Sequence, residues 1–215
     1  MKGAKRMSYI NHFGIRVMKK ATGMKLTREN YIERIVFKSP RSKRYFTDSI
    51  TEVHRERSLT NFDMNMKYFK ALSSADFNEV LESFLMKNKS FEEIHDLNTV
   101  DRKPGYYIMV LDEYSQAYIG TGENIKWRIQ QHWSMQMYFD RLIFGKVANS
   151  ILSINSFRAL DTTRIYAYIT SDTFDRENNY IEQFGHRYLL NRTRGGRLDG
   201  LWEAISHGKT RDLSP

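Results

Sequence analysis

Residues 105–120 read GYYIMVLDEYSQAYIG, and this stretch sets the fold class for the second half of the chain. Pro104 and Gly105 break any preceding helix, since proline lacks a backbone donor and restricts the residue before it. GYYIMVLD is dense in aromatic and β-branched residues, the composition of a strand. The polar stretch DEYSQ separates it from AYIG, so the two runs are expected to pair as an antiparallel hairpin over a loop of about five residues.

Downstream, TGENIKWRIQQHWSMQMYF turns helical, with Thr121 or Asn124 as N-cap and Ile125, Ile129 and Trp133 on one face. RIYAYIT, residues 164–170, reads as a third strand. Residues 175–189 read as a helix whose buried stripe is Tyr180, Ile181, Phe184 and Tyr188. The expected unit is an α/β domain over residues 104–195, a small, mainly antiparallel three-stranded sheet flanked by helices, followed by a tail at 196–215. Upstream, Phe77, Val80, Leu81, Phe84 and Leu85 recur at helical spacing after a Ser73 or Ser74 cap, and a second short helix is expected near residues 91–97. A boundary at residues 100–103 leaves residues 1–103 as a basic, mostly helical N-terminal region of short helices and one basic turn around Pro40.

Composition narrows the function classes. With 40% hydrophobic residues, 13 Tyr, 13 Phe and 3 Trp, the 215-residue chain can offset the entropy of ordering and is expected to fold. Zero cysteines exclude disulfides, thiolate metal sites and cysteine nucleophiles. No segment approaches the ~20 apolar residues of a membrane span or the apolar run of a signal peptide, so a soluble, cytoplasmic protein without a membrane partner is expected. The net charge of +9 suggests a polyanionic partner. Residues 1–60 hold 15 Lys/Arg against 5 Asp/Glu, so the excess sits at the N-terminal end, where DNA contact is the expected use. No zinc-finger, Rossmann or P-loop spacing is present.

Chemistry gathers around the hairpin. Arg128 and His132 are four residues apart on one predicted helix, so both project from the same face and can reach one phosphate. A guanidinium is permanently charged and can hold two phosphate oxygens. Tyr107 and Tyr118 are expected to face each other across the hairpin, and a phenol, with pKa near ~10, relays protons at neutral pH only if a cation lowers that value. Phosphodiester hydrolysis needs these parts: an activated water, a cation at the developing charge, and a stabiliser of the leaving oxygen.

Gly105, Tyr106 and Tyr107, then Tyr118, Ile119 and Gly120, followed by Arg128, His132, a helical glutamate and Asn191, together resemble the GIY-YIG nuclease superfamily. The resemblance covers roughly residues 104–195 and leaves the first hundred residues unaccounted for. It implies a metal-dependent endonuclease with Tyr107 as general base, Tyr118 as its hydrogen-bonding partner, Arg128 and His132 at the phosphate, and a glutamate on the metal. In the family that glutamate is followed, three and four residues on, by apolar anchors; Glu177 has Tyr180 and Ile181 there, whereas Glu182 has Gly185 and His186. Glu177 is therefore the expected ligand and Glu182 the runner-up. One carboxylate suits a single Mg²⁺ or Mn²⁺ that keeps most of its waters. Asn191 is expected to bond backbone or the substrate strand, in a mostly structural role.

Each residue also has an ordinary explanation. Strand tyrosines are commonly half-buried, a helical arginine can stack on its neighbour Trp127, a lone histidine is usually a surface or satisfied core residue, and glutamate favours the first turn of a helix. Arg192, Arg194 and Arg197 form a basic turn that suits phosphate contact or an exposed loop equally. The expected partner is double-stranded DNA, with a homodimer or successive nicks needed to cut both strands. Restriction, mobile-element or repair roles fit; homing fits less well, because homing members carry the nuclease first, whereas here about a hundred residues precede it. The rival reading is a non-catalytic nucleic-acid-binding protein that retains the fold.

Overall fold

The computed structural model describes residues 8–19, 23–32, 48–134, 142–172, 175–195 and 201–213. It is a mixed α/β structure with two antiparallel sheets. The central strand, β4 (Gly105–Leu111), is buried at every position because both faces of its sheet are covered, which explains why its sequence is continuously apolar rather than alternating. It pairs antiparallel with β5 (Gln116–Gly122) on one side and β6 (Arg164–Ile169) on the other.

A fourth strand corrects the expected three. Residues Glu92–Glu93 form β3 on the outer side of β6, giving the order β3-β6-β4-β5. The short helix expected over residues 91–97 is replaced by this strand and a 3-10 turn at Leu97–Val100. Two adjacent exposed carboxylates keep that edge from recruiting another chain.

The hairpin connection is tighter than expected. A 3-10 turn at Asp112–Tyr114 and Ser115 in the left-handed conformation (φ 49°) join the strands, and β5 begins at Gln116. Its register sets Tyr107 opposite Gly120 and Met109 opposite Tyr118, so the two phenols are diagonal neighbours on one face rather than directly opposed.

Strand alternation divides the core. Tyr107, Met109, Ile165 and Ala167 point to one face and pack with Ile125, Ile129 and Trp133 of α4 (Ile125–Ser134). Tyr106, Ile108, Val110, Ile119 and Tyr166 point to the other and pack with Phe77, Leu81 and Phe84 of α3 (Ser74–Lys87) and Tyr180, Ile181 and Phe184 of α5 (Glu177–Gln183). Ser73 is the α3 cap, accepting from the Asp76 N–H at 3.1 Å, and Asn124 is the α4 cap, accepting from the Trp127 N–H at 3.1 Å. Thr121 lies within β5 instead, and the expected C-terminal extension of α4 through residues 135–139 falls outside the described residues. α5 is shorter than its apolar stripe because Gly185, at φ +90°, turns the chain into a 3-10 segment at His186–Tyr188.

The N-terminal region departs from the expected run of short helices. Tyr9–His12 (β1) and Ile15–Met18 (β2) form a hairpin whose two turn residues, Phe13 and Gly14, both have positive φ (46° and 70°), as a tight primed turn requires. Helices α1 (Arg28–Ile32) and α2 (Asp48–Lys70) follow, and most of the basic turn around Pro40 lies outside the described residues. Ile15, Leu26, Tyr31, Phe62 and Phe69 share one buried cluster with Tyr107, Ile129 and Trp133. Residues on both sides of positions 100–103 thus build one core. Among the described residues no helix is long and apolar enough to cross a membrane.

Candidate active site

Tyr107 is fully buried at the centre of the site, and three features of the fold hold it there. The ring crosses directly over Gly120, where a Cβ would fall 2.4 Å from the phenol oxygen and 2.9 Å from Cε1 of Tyr118. Glycine is therefore required at the end of the AYIG run for steric reasons alone. The half-buried Tyr118 ring lies 6.3 Å away, and α4 lays His132 across both, with ring centroids 6.0 Å from Tyr107 and 5.0 Å from Tyr118. The Tyr107 hydroxyl is 2.7 Å from His132 Nε2, and His132 Nδ1 is 2.5 Å from Asn155 Oδ1.

These contacts fix the hydrogen directions. Asn155 Oδ1 can only accept, so His132 Nδ1 donates to it, leaving Nε2 to accept from the Tyr107 hydroxyl. His132 is only 2% exposed, and burial beside the Arg128 guanidinium pushes its pKa down to about 3, which keeps it neutral. Burial raises the Tyr107 phenol well above its ordinary value, the neighbouring Tyr118 and Glu177 add to that rise, and Arg128 pulls it partly back. Of the two cations expected to lower a phenol, Arg128 or a bound metal, the Arg128 guanidinium alone does not offset the desolvation of Tyr107. His132 is not a peripheral residue of the helix face but a direct partner of Tyr107.

Arg128 is partly exposed one turn before His132, and its guanidinium donates to Gln131 Oε1 at 3.1 Å while remaining close enough to act on Tyr107. The expected place of His132 beside Arg128 at one phosphate is corrected: His132 is buried with both ring nitrogens bonded to protein, so Arg128 alone of the two is partly exposed, while Trp127 points to solvent.

Glu177 opens α5, buried, and its charge is felt at Tyr107. The helix start is tied to the sheet by the other tyrosine of the pair, since the Arg176 N–H donates to the Tyr106 phenol oxygen at 3.1 Å. Adjacent tyrosines on β4 thus serve opposite faces: Tyr107 meets His132, and Tyr106 places the helix that carries Glu177. Glu182 points outward, exposed, and accepts from Asn178 Nδ2 at 3.1 Å. Geometry therefore separates the two glutamates, with Glu177 at the tyrosine cluster and Glu182 away from it.

Gly195 closes over Glu177, where a Cβ would stand 2.6 Å from Glu177 Cγ. Asn191 is buried and clamps the open edge of β5, accepting from the Ile119 N–H at 3.0 Å and donating to the Ile119 carbonyl at 2.7 Å. With the Leu190 N–H on the Ala117 carbonyl at 2.8 Å, it finishes an edge that no further strand covers among the described residues. Arg192 is buried, donating to the Leu142 carbonyl with its guanidinium 4.1 Å from the Phe144 ring centroid, so it supports the fold rather than facing a phosphate. Arg194 is exposed, and Arg197 lies outside the described residues.

No family model, curated protein or solved structure matches the chain. The site is read from its own residues. The carboxylate of Glu177 and the phenol of Tyr107 that it acts on are hard oxygens, and among the described residues no group of three or more His, Asp or Glu converges. Both ring nitrogens of His132 are engaged by protein. This set fits a single hydrated Mg²⁺ or Mn²⁺ held by Glu177 with water and substrate oxygens, and it does not provide an all-protein cage.

Sequence reasoning missed Asn155 and the helix-placing role of Tyr106. Asn155 lies in ILSINSFRALD, which has neither motif nor periodicity, and only the fold brings it to His132. Tyr106 was legible through strand alternation, which puts it on the face opposite Tyr107.

Proposed function

We propose that this chain is a metal-dependent DNA endonuclease of the GIY-YIG type, hydrolysing phosphodiester bonds at the Tyr107, Arg128 and Glu177 cluster. The observation that carries the reading is convergence: residues from β4, β5, α4 and the start of α5 surround one phenol, although they are spread over about seventy positions of sequence. A structural tyrosine needs no such company.

The phenol hydrogen is already directed at His132 Nε2. Once substrate binding admits a water to the buried Tyr107 oxygen, that water can pass it a proton while the phenol proton moves to His132, so no free phenolate is formed. Burial and the Arg128 guanidinium, which push the His132 pKa down to about 3, oppose this transfer, so it needs a compensating charge. Both groups are held neutral in the resting protein, and an anionic phosphate beside them favours the imidazolium that the relay creates. Arg128 meets the developing negative charge of the pentavalent phosphorus. A divalent ion on Glu177 would polarise the phosphoryl oxygen and neutralise the leaving 3′ oxygen.

Double-stranded DNA in a cytoplasmic setting is the proposed substrate, supported by the net charge of +9 and by exposed Arg16, Lys19 and Arg57 in the N-terminal region. A single site per chain makes a transient homodimer or two successive nicks the route to a double-strand break. The deciding experiment is conversion of supercoiled plasmid with Mg²⁺. Wild type should nick and linearise, whereas Arg128→Ala should bind DNA without cutting. A purified, folded wild-type chain that binds DNA but leaves every plasmid intact would favour a binding protein over a nuclease.

A further inference from the structure

We propose that Asn155 is a positioning residue for the Tyr107 and His132 pair: its side-chain oxygen holds His132 in the tautomer protonated at Nδ1, so that Nε2 is the acceptor turned to the Tyr107 hydroxyl. This rests on the proton path proposed above. The two ring nitrogens of a neutral imidazole are interchangeable until one makes a hydrogen bond, and that bond decides what the other can do. If Nε2 carried the hydrogen, it would point it at the phenol oxygen, and the hydroxyl hydrogen would lose its acceptor. Tyr107 could then receive a proton from water only by becoming a phenolate first.

Asn155 is built to make that choice. It belongs to a 3-10 turn, Ile154–Ser156, and its own N–H donates back to Ser153 Oγ at 3.3 Å. The segment before the turn is tied to α2 by side-chain bonds. Asn65 Nδ2 donates to the Ser150 carbonyl at 3.0 Å, the Leu152 N–H donates to Asn65 Oδ1 at 3.1 Å, and Asn61 Nδ2 donates to the Ser150 carbonyl at 2.9 Å. All three members of the chain from Asn155 through His132 to Tyr107 are buried, so water does not compete for either imidazole nitrogen. The arrangement has the logic of an orienting group, a base and a hydroxyl, with a neutral amide as the orienting group.

The test is made on the full chain labelled with ¹⁵N-histidine, with His132 assigned by its loss in His132→Gln. Long-range proton–nitrogen correlation reads which nitrogen bears the hydrogen; Nδ1 is expected in wild type. Asn155→Leu keeps the branched shape and removes the acceptor, so the Nε2-protonated form should appear, and kcat for plasmid nicking with Mg²⁺ should fall about 10–100-fold at unchanged KM. Asn155→Asp keeps an acceptor oxygen and should retain the wild-type tautomer and most of kcat. Hydrogen on Nε2 in the wild type overturns the proposal before any Asn155 variant is made. So does Asn155→Leu that melts normally and nicks at the wild-type rate. If the wild type cuts no DNA, the nuclease reading fails, while the tautomer measured in wild type and in Asn155→Leu still decides whether Asn155 sets His132.

Discussion

Replacing Asn191 with leucine separates a structural role from a catalytic one. The side chain is 4% exposed, and both of its amide atoms are spent on the Ile119 backbone. Leucine has the same branched arrangement of heavy atoms with bulkier ends, so no cavity opens and the main loss is that of two hydrogen bonds whose backbone partners stay buried. Each orphaned group costs about 1–3 kcal/mol, which puts the variant about 2–6 kcal/mol below wild type. For a chain of this length each kcal/mol is worth roughly 2–4 °C, so melting should fall by about 4–24 °C. Urea denaturation followed by tryptophan fluorescence should show a lower midpoint at unchanged slope. Asn191→Asp should be no better, since it keeps the acceptor for the Ile119 N–H but sets a carboxylate against the Ile119 carbonyl. A variant within about 0.5 kcal/mol of wild type that has lost cleavage would refute the clamp and put Asn191 on the substrate instead.

Glu177→Gln should abolish plasmid cleavage and its Mg²⁺ dependence, with Glu182→Gln cutting as wild type; the reverse pattern would move the metal site to the exposed face of α5. Stability should fall as pH drops from 6.5 towards 3, because His132 resists protonation in the folded chain and takes it up freely when unfolded. The contribution is on the order of 5 kcal/mol and is fully present above 6.5. Chemical denaturation of wild type and His132→Gln across that range measures it, and parallel curves would mean that His132 is solvated. Changing Arg16, Lys19 and Arg57 together to glutamine should weaken DNA binding and shallow its salt dependence by up to about three unit slopes without altering the chemical step. Equal salt slopes in a filter-binding titration would leave those charges as a solvated surface. Deleting residues 1–60 is the wrong form of this experiment, because Ile15, Leu26 and Tyr31 lie in the core shared with Tyr107.

Local pattern predicted β4, β5, β6, α3 and α5 because each announces itself within a dozen residues, through a continuous apolar run, a stripe or a cap. The order and spacing of Tyr107, Tyr118, Arg128, His132, Glu177 and Asn191 likewise placed the side chains that the fold gathers, although the diagonal register of the two phenols needed coordinates. What escaped was non-local. β3 is only two charged residues long and exists because the open edge of β6 receives it. The N-terminal hairpin turns on Phe13 at φ 46°, a conformation whose usual signal is Asn or Gly. Asn155 is placed by bonds from α2, some ninety positions earlier in the chain.

Tyr106 and Tyr107 are consecutive yet work on opposite sides of one strand. Inserting or deleting a single amino acid just upstream of them would send each phenol to the wrong layer, breaking the Tyr107 bond to His132 and the Tyr106 bond that places α5 in one step. Evolution along this segment can therefore exchange letters but not add or remove them, and length here is as constrained as identity.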